Sequence, residues 1–227
     1  MQVDLKPLAV QTLFLFAALT LALFLPAGTL AWPIGWLYIL LFFGFFLGTN
    51  AWLFKHNPGL LQERMRWSRP DQKGWDKILF PLLLVLPLAW FIFLSLDAVR
   101  FHWSPVPVWI QGLGLIVLLG SFYLFFLTFR ENSYLSTVVR VQQERGHTVI
   151  STGPYHYVRH PMYAGFLLFM VGTPLLLGSW YGVLLGLAFM LVLARRAILE
   201  ERTLQKELSG YTDYITEVKY RLIPYIW

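Results

Sequence analysis

Apolar residues dominate this chain in long runs that show neither strict alternation nor a narrow amphipathic stripe. Six such runs can be marked, at 8–25, 32–54, 78–96, 106–129, 162–177 and 181–194. A helix crossing a bilayer needs about 20 consecutive apolar residues, so the first four runs predict full spans. The last two are shorter and flank the turn GSWYG (178–182), which predicts a tight helical hairpin. The pattern therefore predicts an all-α, polytopic membrane bundle of about six transmembrane segments in a single domain over 1–227. Its last two segments form a hairpin followed by a cytoplasmic amphipathic helix. The first run is longer than a usual secretory h-region, and similar runs follow it, so it is read as a retained helix rather than a cleaved signal.

Composition strengthens this reading. The 227 residues are 57% hydrophobic and 13% charged, against roughly 25% charged in soluble domains. Of the 18 Lys and Arg residues, only Arg100 falls in a connection on one side; all the others fall on the opposite side. By the positive-inside rule, both termini and both long loops are then cytoplasmic. This asymmetry accounts for the net charge of +6 without a nucleic acid partner. The chain has no Cys, which excludes disulfides, a thiolate nucleophile and Cys-based zinc sites. With no evident targeting signal either, a bacterial inner membrane is the simplest location.

Several local patterns refine the picture. Trp32, Trp36, Trp103, Trp109, Trp180 and Trp227 lie near segment ends, as interfacial anchors do. The GxxxG patterns GFFLG (44–48) and GVLLG (182–186) predict close helix approach. The GLG at 112–114 lacks the third glycine of a dinucleotide loop and lies within a span. The loop 55–77, KHNPGLLQERMRWSRPDQKGWDK, is basic and amphipathic and includes Trp67 and Trp75. It is read as an interfacial segment attracted to anionic lipid, in preference to a lid over a substrate groove.

Three polar clusters on the basic side carry the candidate chemistry: 142–155, 156–163 and 195–202. In HYVRHPMY, Pro161 directly follows His160 and suits the first turn of a helix. Such a start presents free N–H groups to an anion, and Gly165 permits close approach by a ligand or a helix. His156 and His160 are four apart, but Pro161 makes a continuous helix across them unfavourable and no HExxH pattern is present, so no metal is expected. Arg196 and Glu200 share one helix face at i, i+4, where a mutual ion pair and a binding role are equally open. Arg195, Glu201 and Arg202 read as a solvated charge sheath, Tyr214 as part of an interfacial belt, and His156 as an ordinary loop residue.

Together, GPYHYVRHPMYAG and the later EERTLQKELSGYTDYITEVKYRLIP resemble the C-terminal core of the isoprenylcysteine carboxyl methyltransferase and phospholipid methyltransferase superfamily. The resemblance covers roughly 110–227, and divides the domain into N-terminal helices with a basic loop (1–105) and a methyltransferase core (106–227). It implies an integral membrane enzyme moving a methyl group from S-adenosylmethionine to a lipophilic acceptor in the bilayer. It further implies cofactor contacts from His147, Thr148, Val149, Ile150, Tyr155, His160, Pro161, Met162, Tyr163 and Glu200, with Arg196 on the substrate side. Strict spacing puts Arg140 where the family carries a glutamine; a gap would put Gln142 or Gln143 there. A carboxylate of an isoprenylcysteine-like molecule is the favoured acceptor, because an Arg can orient it by a bidentate pair. A phospholipid amine, a small thiol, and a non-enzymatic scaffold or sensor are the alternatives.

Overall fold

A computed structural model describes residues 4–66 and 68–227, so Trp67 lies outside the described residues. Its helices are α1 (Lys6–Ala27), α2 (Pro33–His56), α3 (Pro58–Arg64), α4 (Gly74–Ser95), α5 (Val108–Glu131), α6 (Pro161–Leu177), α7 (Trp180–Glu207) and α8 (Tyr211–Glu217). A short π-helical turn, Leu96–Phe101, extends α4. Among the described residues, five helices are long and apolar enough to cross a membrane: α1, α2, α4 with its extension, α5 and α7. The sixth, α6, has 17 residues, about 26 Å at helical rise against a hydrocarbon core of about 30 Å.

The predicted hairpin is present, but α7 is not short. Its helix runs on through RRAILEERTLQKE to Glu207, because these residues are strong helix formers and no Gly or Pro interrupts them. The turn itself uses Gly178 at φ +99°, a conformation glycine adopts without strain. Ser179 then caps α7, its hydroxyl accepting the Gly182 N–H at 2.8 Å.

The two GxxxG patterns behave differently. At Gly186 a side chain would collide with the Met170 backbone on α6, and at Gly182 with Leu94 and Pro174, so GVLLG is a packing surface. Gly44 and Gly48 face open space, so the glycine face of GFFLG meets no helix. The tightest seam is instead α5 against α6, where Gly114 meets the Leu175–Leu176 backbone and Gly172 meets Leu118. Gly165 is covered by the Phe125 ring, so its close approach is to a helix. Aromatic rings fill the space between α2, α5 and α6; Phe45 stacks on Phe122 at 4.6 Å, and Phe125 and Phe169 lie beside them.

At the end away from the long loops, buried Asp97 accepts the Ser104 N–H (2.8 Å) and the hydroxyls of Ser104 and Ser179, joining the end of α4 to the α6–α7 turn. At that end Trp36, Trp103, Trp109 and Trp180 are exposed as anchors would be, whereas Trp32 is buried against Phe24. From Trp90 onward α4 is packed, and Trp90 Nε1 donates to the Gly182 carbonyl at 2.8 Å. Between 77 and 89 no residue of α4 is buried, and this stretch includes Pro81 and Pro87.

The loop 55–77 is not a free surface strip. Leu60 and Leu61 of α3 are fully packed, and Glu63, Gln72 and Asp76 are buried beneath the 134–145 segment. Glu63 pairs with Arg69 and with Arg140 (3.3 Å), and accepts the Ser136 hydroxyl at 3.0 Å. The acidic residues among the basic ones supply ion-pair partners, so the loop folds under the site instead of spreading on lipid.

Candidate active site

The basic end of α7 organises the site. Arg196 and Glu200, one turn apart, meet Tyr163 from the first turn of α6: Arg196 Nη1 donates to Tyr163 Oη at 3.0 Å, and Tyr163 Oη donates to Glu200 Oε2 at 2.8 Å. They do not pair directly; the tyrosine relays between them. Arg196 Nε donates to Asp76 Oδ1 at 2.8 Å and its Nη2 to the Thr137 carbonyl at 2.9 Å. Asp76 is completely buried, whereas Glu200 is half-buried with one carboxylate oxygen engaged by Tyr163.

Glu201, read from the sequence as a solvated charge, is 4% exposed and heavily bonded. Arg159 Nε reaches its Oε1 at 2.6 Å, His160 Nε2 lies 3.2 Å from the same oxygen, and Arg221 Nε reaches Oε2 at 2.8 Å. Arg159 also donates to the Val218 carbonyl at 2.6 Å, and the N–H groups of Arg159 and His160 bond the carbonyls of Tyr220 and Arg221. The tail thus lies along the start of α6 and is locked there by Glu201. Arg195 and Arg202 are exposed, as a charge sheath would be.

The remaining predicted residues divide into those near this centre and those on the polar loop. The His160 ring stacks on Tyr163 at 5.3 Å, and Pro161 is buried at the start of α6. The N–H groups of Tyr163 and Ala164 both turn back to the His160 carbonyl, so the helix start is less open to an anion than its sequence implies. Met162 packs against the hydrophobic core. Tyr155 is buried, accepts from Asn132 Nδ2 at 2.8 Å, and burial raises its phenol pKa. Tyr214 is no belt residue: it is buried and its hydroxyl donates to the Tyr155 carbonyl at 2.7 Å.

On the loop, His147 stacks on Tyr134 at 4.4 Å, Thr148 is exposed, and Val149 packs with the α8 cluster around Leu208 and Tyr211. Ile150 is half-buried. Burial, reinforced by Arg145 and Arg140, lowers the His147 pKa to about 4. Its Nδ1 accepts the Gln142 N–H at 3.3 Å, which places the ring proton on Nε2. Of the candidates for the family glutamine, Gln142 is fully buried, bonding the Tyr134 carbonyl (2.6 Å) and Arg145 (2.5 Å). Arg140 is bound by Asp71 (2.6 Å), Glu144 (2.5 Å) and Glu63, and Gln143 is exposed.

A known family matches the stretch that holds Tyr163, Arg196 and Glu200. The family model described as phospholipid methyltransferase matches residues 109–209. The protein-S-isoprenylcysteine O-methyltransferase of Schizosaccharomyces pombe is 41% identical over 58 residues, 26% of this chain and 23% of that protein. Protein-S-isoprenylcysteine O-methyltransferase B of Arabidopsis thaliana is 29% identical over 124 residues, 52% of this chain and 58% of that protein. The Saccharomyces cerevisiae protein-S-isoprenylcysteine O-methyltransferase is 34% identical over 86 residues, 37% of this chain and 36% of that protein. Over these stretches the chain is similar to phospholipid methyltransferases and to protein-S-isoprenylcysteine O-methyltransferases. These matches span between about a quarter and just over half of the length of each relative.

Within the matched segment, the structure brings together Tyr163, Arg196 and Glu200, which the sequence analysis singled out, and adds a buried cluster of Glu201 and Arg159 that it did not. Asp76, which lies before the matched segment, was missed as well. The available signal for Asp76 was an acidic residue just ahead of an apolar run, where an unpaired charge is costly.

Proposed function

We propose that this protein is an integral membrane methyltransferase that moves a methyl group from S-adenosylmethionine to a carboxylate on a lipophilic, isoprenylcysteine-like acceptor. The observation that carries this reading is the relay Arg196–Tyr163–Glu200, which sets a guanidinium and a half-open carboxylate on either side of one buried phenol. The names of the relatives agree with the acceptor class.

The residues fit the cofactor by their chemistry. Glu200 keeps accepting capacity for an amino group or ribose hydroxyls, and Tyr155, His160 and Tyr163 supply ring surface near it. His147 stays neutral at physiological pH, so it does not repel a cation. When bound, the cofactor would supply a methyl group already activated by a positively charged sulfur. The chain then has to position the acceptor and exclude water. An ionised carboxylate needs no general base, and Arg196 would orient it. An ammonium would be repelled by Arg196 and would first have to lose a proton. This favours the carboxylate over the amine that the matched family's description implies.

The site lies at the basic end of the bundle, which the positive-inside rule assigns to the cytoplasm. A lipophilic acceptor would reach it sideways, past the stretch of α4 between 77 and 89, which has no fully buried residue. Calorimetry with S-adenosylhomocysteine on protein in nanodiscs tests the cofactor, and methyl transfer to prenylcysteine, phospholipid amine or thiol tests the acceptor. Saturable binding with transfer to the prenylcysteine acid is expected. Binding with transfer only to an amine or thiol would replace the acceptor, and no binding by folded protein would favour a scaffold or sensor.

A further inference from the structure

We propose that Asp76, outside the segment matched by the family model, is a positioning residue that presents Arg196 to the acceptor carboxylate; this rests on the function proposed above. Asp76 is held at both oxygens. Oδ1 takes the Arg196 Nε–H at 2.8 Å, while Oδ2 takes the Val139 N–H at 2.9 Å and the Gln72 amide at 3.0 Å. With no surface exposed, it cannot act as a mobile counter-ion.

The consequence falls on Arg196. A guanidinium carries five N–H donors in one plane. Asp76, Tyr163 and the Thr137 carbonyl occupy one donor on each of its three nitrogens. Two donors remain uncommitted among the described residues, one on each terminal nitrogen, the number a bidentate carboxylate requires. Arg196, buried within the bundle, would otherwise be a long side chain with many rotamers. Anchoring its Nε edge fixes the plane in which an acceptor is recognised, and pre-organisation of this kind lowers the ordering cost of binding.

The anchor also links two parts of the chain. Asp76 is in the first turn of α4, Gln72 precedes that helix, and Val139 and Thr137 belong to the segment after α5. The N-terminal helices therefore contribute to recognition of the acceptor's carboxylate through Asp76.

The experiment measures equilibrium binding of N-acetyl-S-farnesylcysteine and its methyl ester to full-length protein in nanodiscs without cofactor. Wild-type protein should prefer the free acid by roughly tenfold or more, the scale of one charge-assisted contact. Asp76→Asn should lose most of that preference while its affinity for S-adenosylhomocysteine stays within about twofold. Gln72→Ala, which loosens Asp76 without removing its charge, should give an intermediate preference and replaces Asp76→Asn if that variant does not fold. A preference kept intact in the folded variants overturns this inference alone. Equal loss of acid, ester and S-adenosylhomocysteine binding also overturns it, since that marks a merely structural pair. No preference in the wild type removes the carboxylate reading of Arg196 and this inference with it.

Discussion

Two networks on neighbouring faces of α7 are built from similar parts and end differently. Glu201 is closed: Arg159, His160 and Arg221 surround it, and the tail and the start of α6 meet across it. Glu200, the adjacent residue, is turned about 100° around the helix and has one bonded partner, Tyr163, with part of its surface open. Closure suits a structural clasp, because every charge has a partner in the folded chain. Openness suits binding, because an uncommitted oxygen on a rigid helix is ready to accept a ligand donor. Arg196 belongs to the open network but has a closed rear, formed by Asp76 and the Thr137 carbonyl.

The largest test removes the clasp. Glu201→Ala leaves the Arg159 guanidinium buried without its carboxylate, and losing one member of a buried pair costs about 3–5 kcal/mol. Thermal unfolding in detergent should show a strongly lowered midpoint, with the tail more open to proteolysis. A midpoint near the parent's would mean that Glu201 is no clasp. Glu200→Ala is the paired test on the other face. It should cost about 1–2 kcal/mol in S-adenosylhomocysteine affinity by calorimetry, with the unfolding midpoint little changed. If both variants lose stability equally, the contrast between the two faces collapses.

A smaller effect concerns pH. The folded His147 has a pKa of about 4, below its ordinary 6.5. Above 6.5 the ring is neutral in both folded and unfolded chains, so it adds no pH dependence there. As pH falls from 6.5 toward 4 the unfolded chain takes up the proton first, and the folded state loses stability across that window. His147→Phe keeps a ring against Tyr134 and cannot titrate, so its stability curve between pH 6.5 and 4 should be flatter than the parent's. The smallest effect is expected at Lys73, whose bond to Glu207 (2.7 Å) joins two partly exposed side chains. Lys73→Ala should change stability by less than about 1 kcal/mol.

The open network was more legible in the sequence than the clasp, for a physical reason. Spacing sets Arg196 and Glu200 one helical turn apart and leaves an ion pair and a binding role equally open; the resemblance carried by RHPMY and EE is what singles out Tyr163 with them. Glu201 depends on Arg221 and the tail, and Asp76, on α4, depends on Arg196 of α7 120 residues later, and spacing cannot show such pairings. The six hydrophobic segments were legible because lipid demands continuous apolar helices. The length of α7 was not, since the charges that end its apolar run do not end its helix. Gly44 and Gly48 carry the same pattern as Gly182 and Gly186, yet only the latter pair faces another helix. A pattern states what a surface permits, not what arrives there.

Helix α4 resembles a bow strung at both tips. Its far tip is fastened among Trp90, Gly182 and the Asp97 hydroxyl contacts, and its near tip by Asp76 to Arg196. The limb between 77 and 89 has no buried residue to detach, and Pro81 and Pro87 each remove a hydrogen bond that would stiffen it. Flexing that limb would disturb the partial packing of Leu83 but no fully buried residue, so a greasy chain can slip beside it while both knots stay tied.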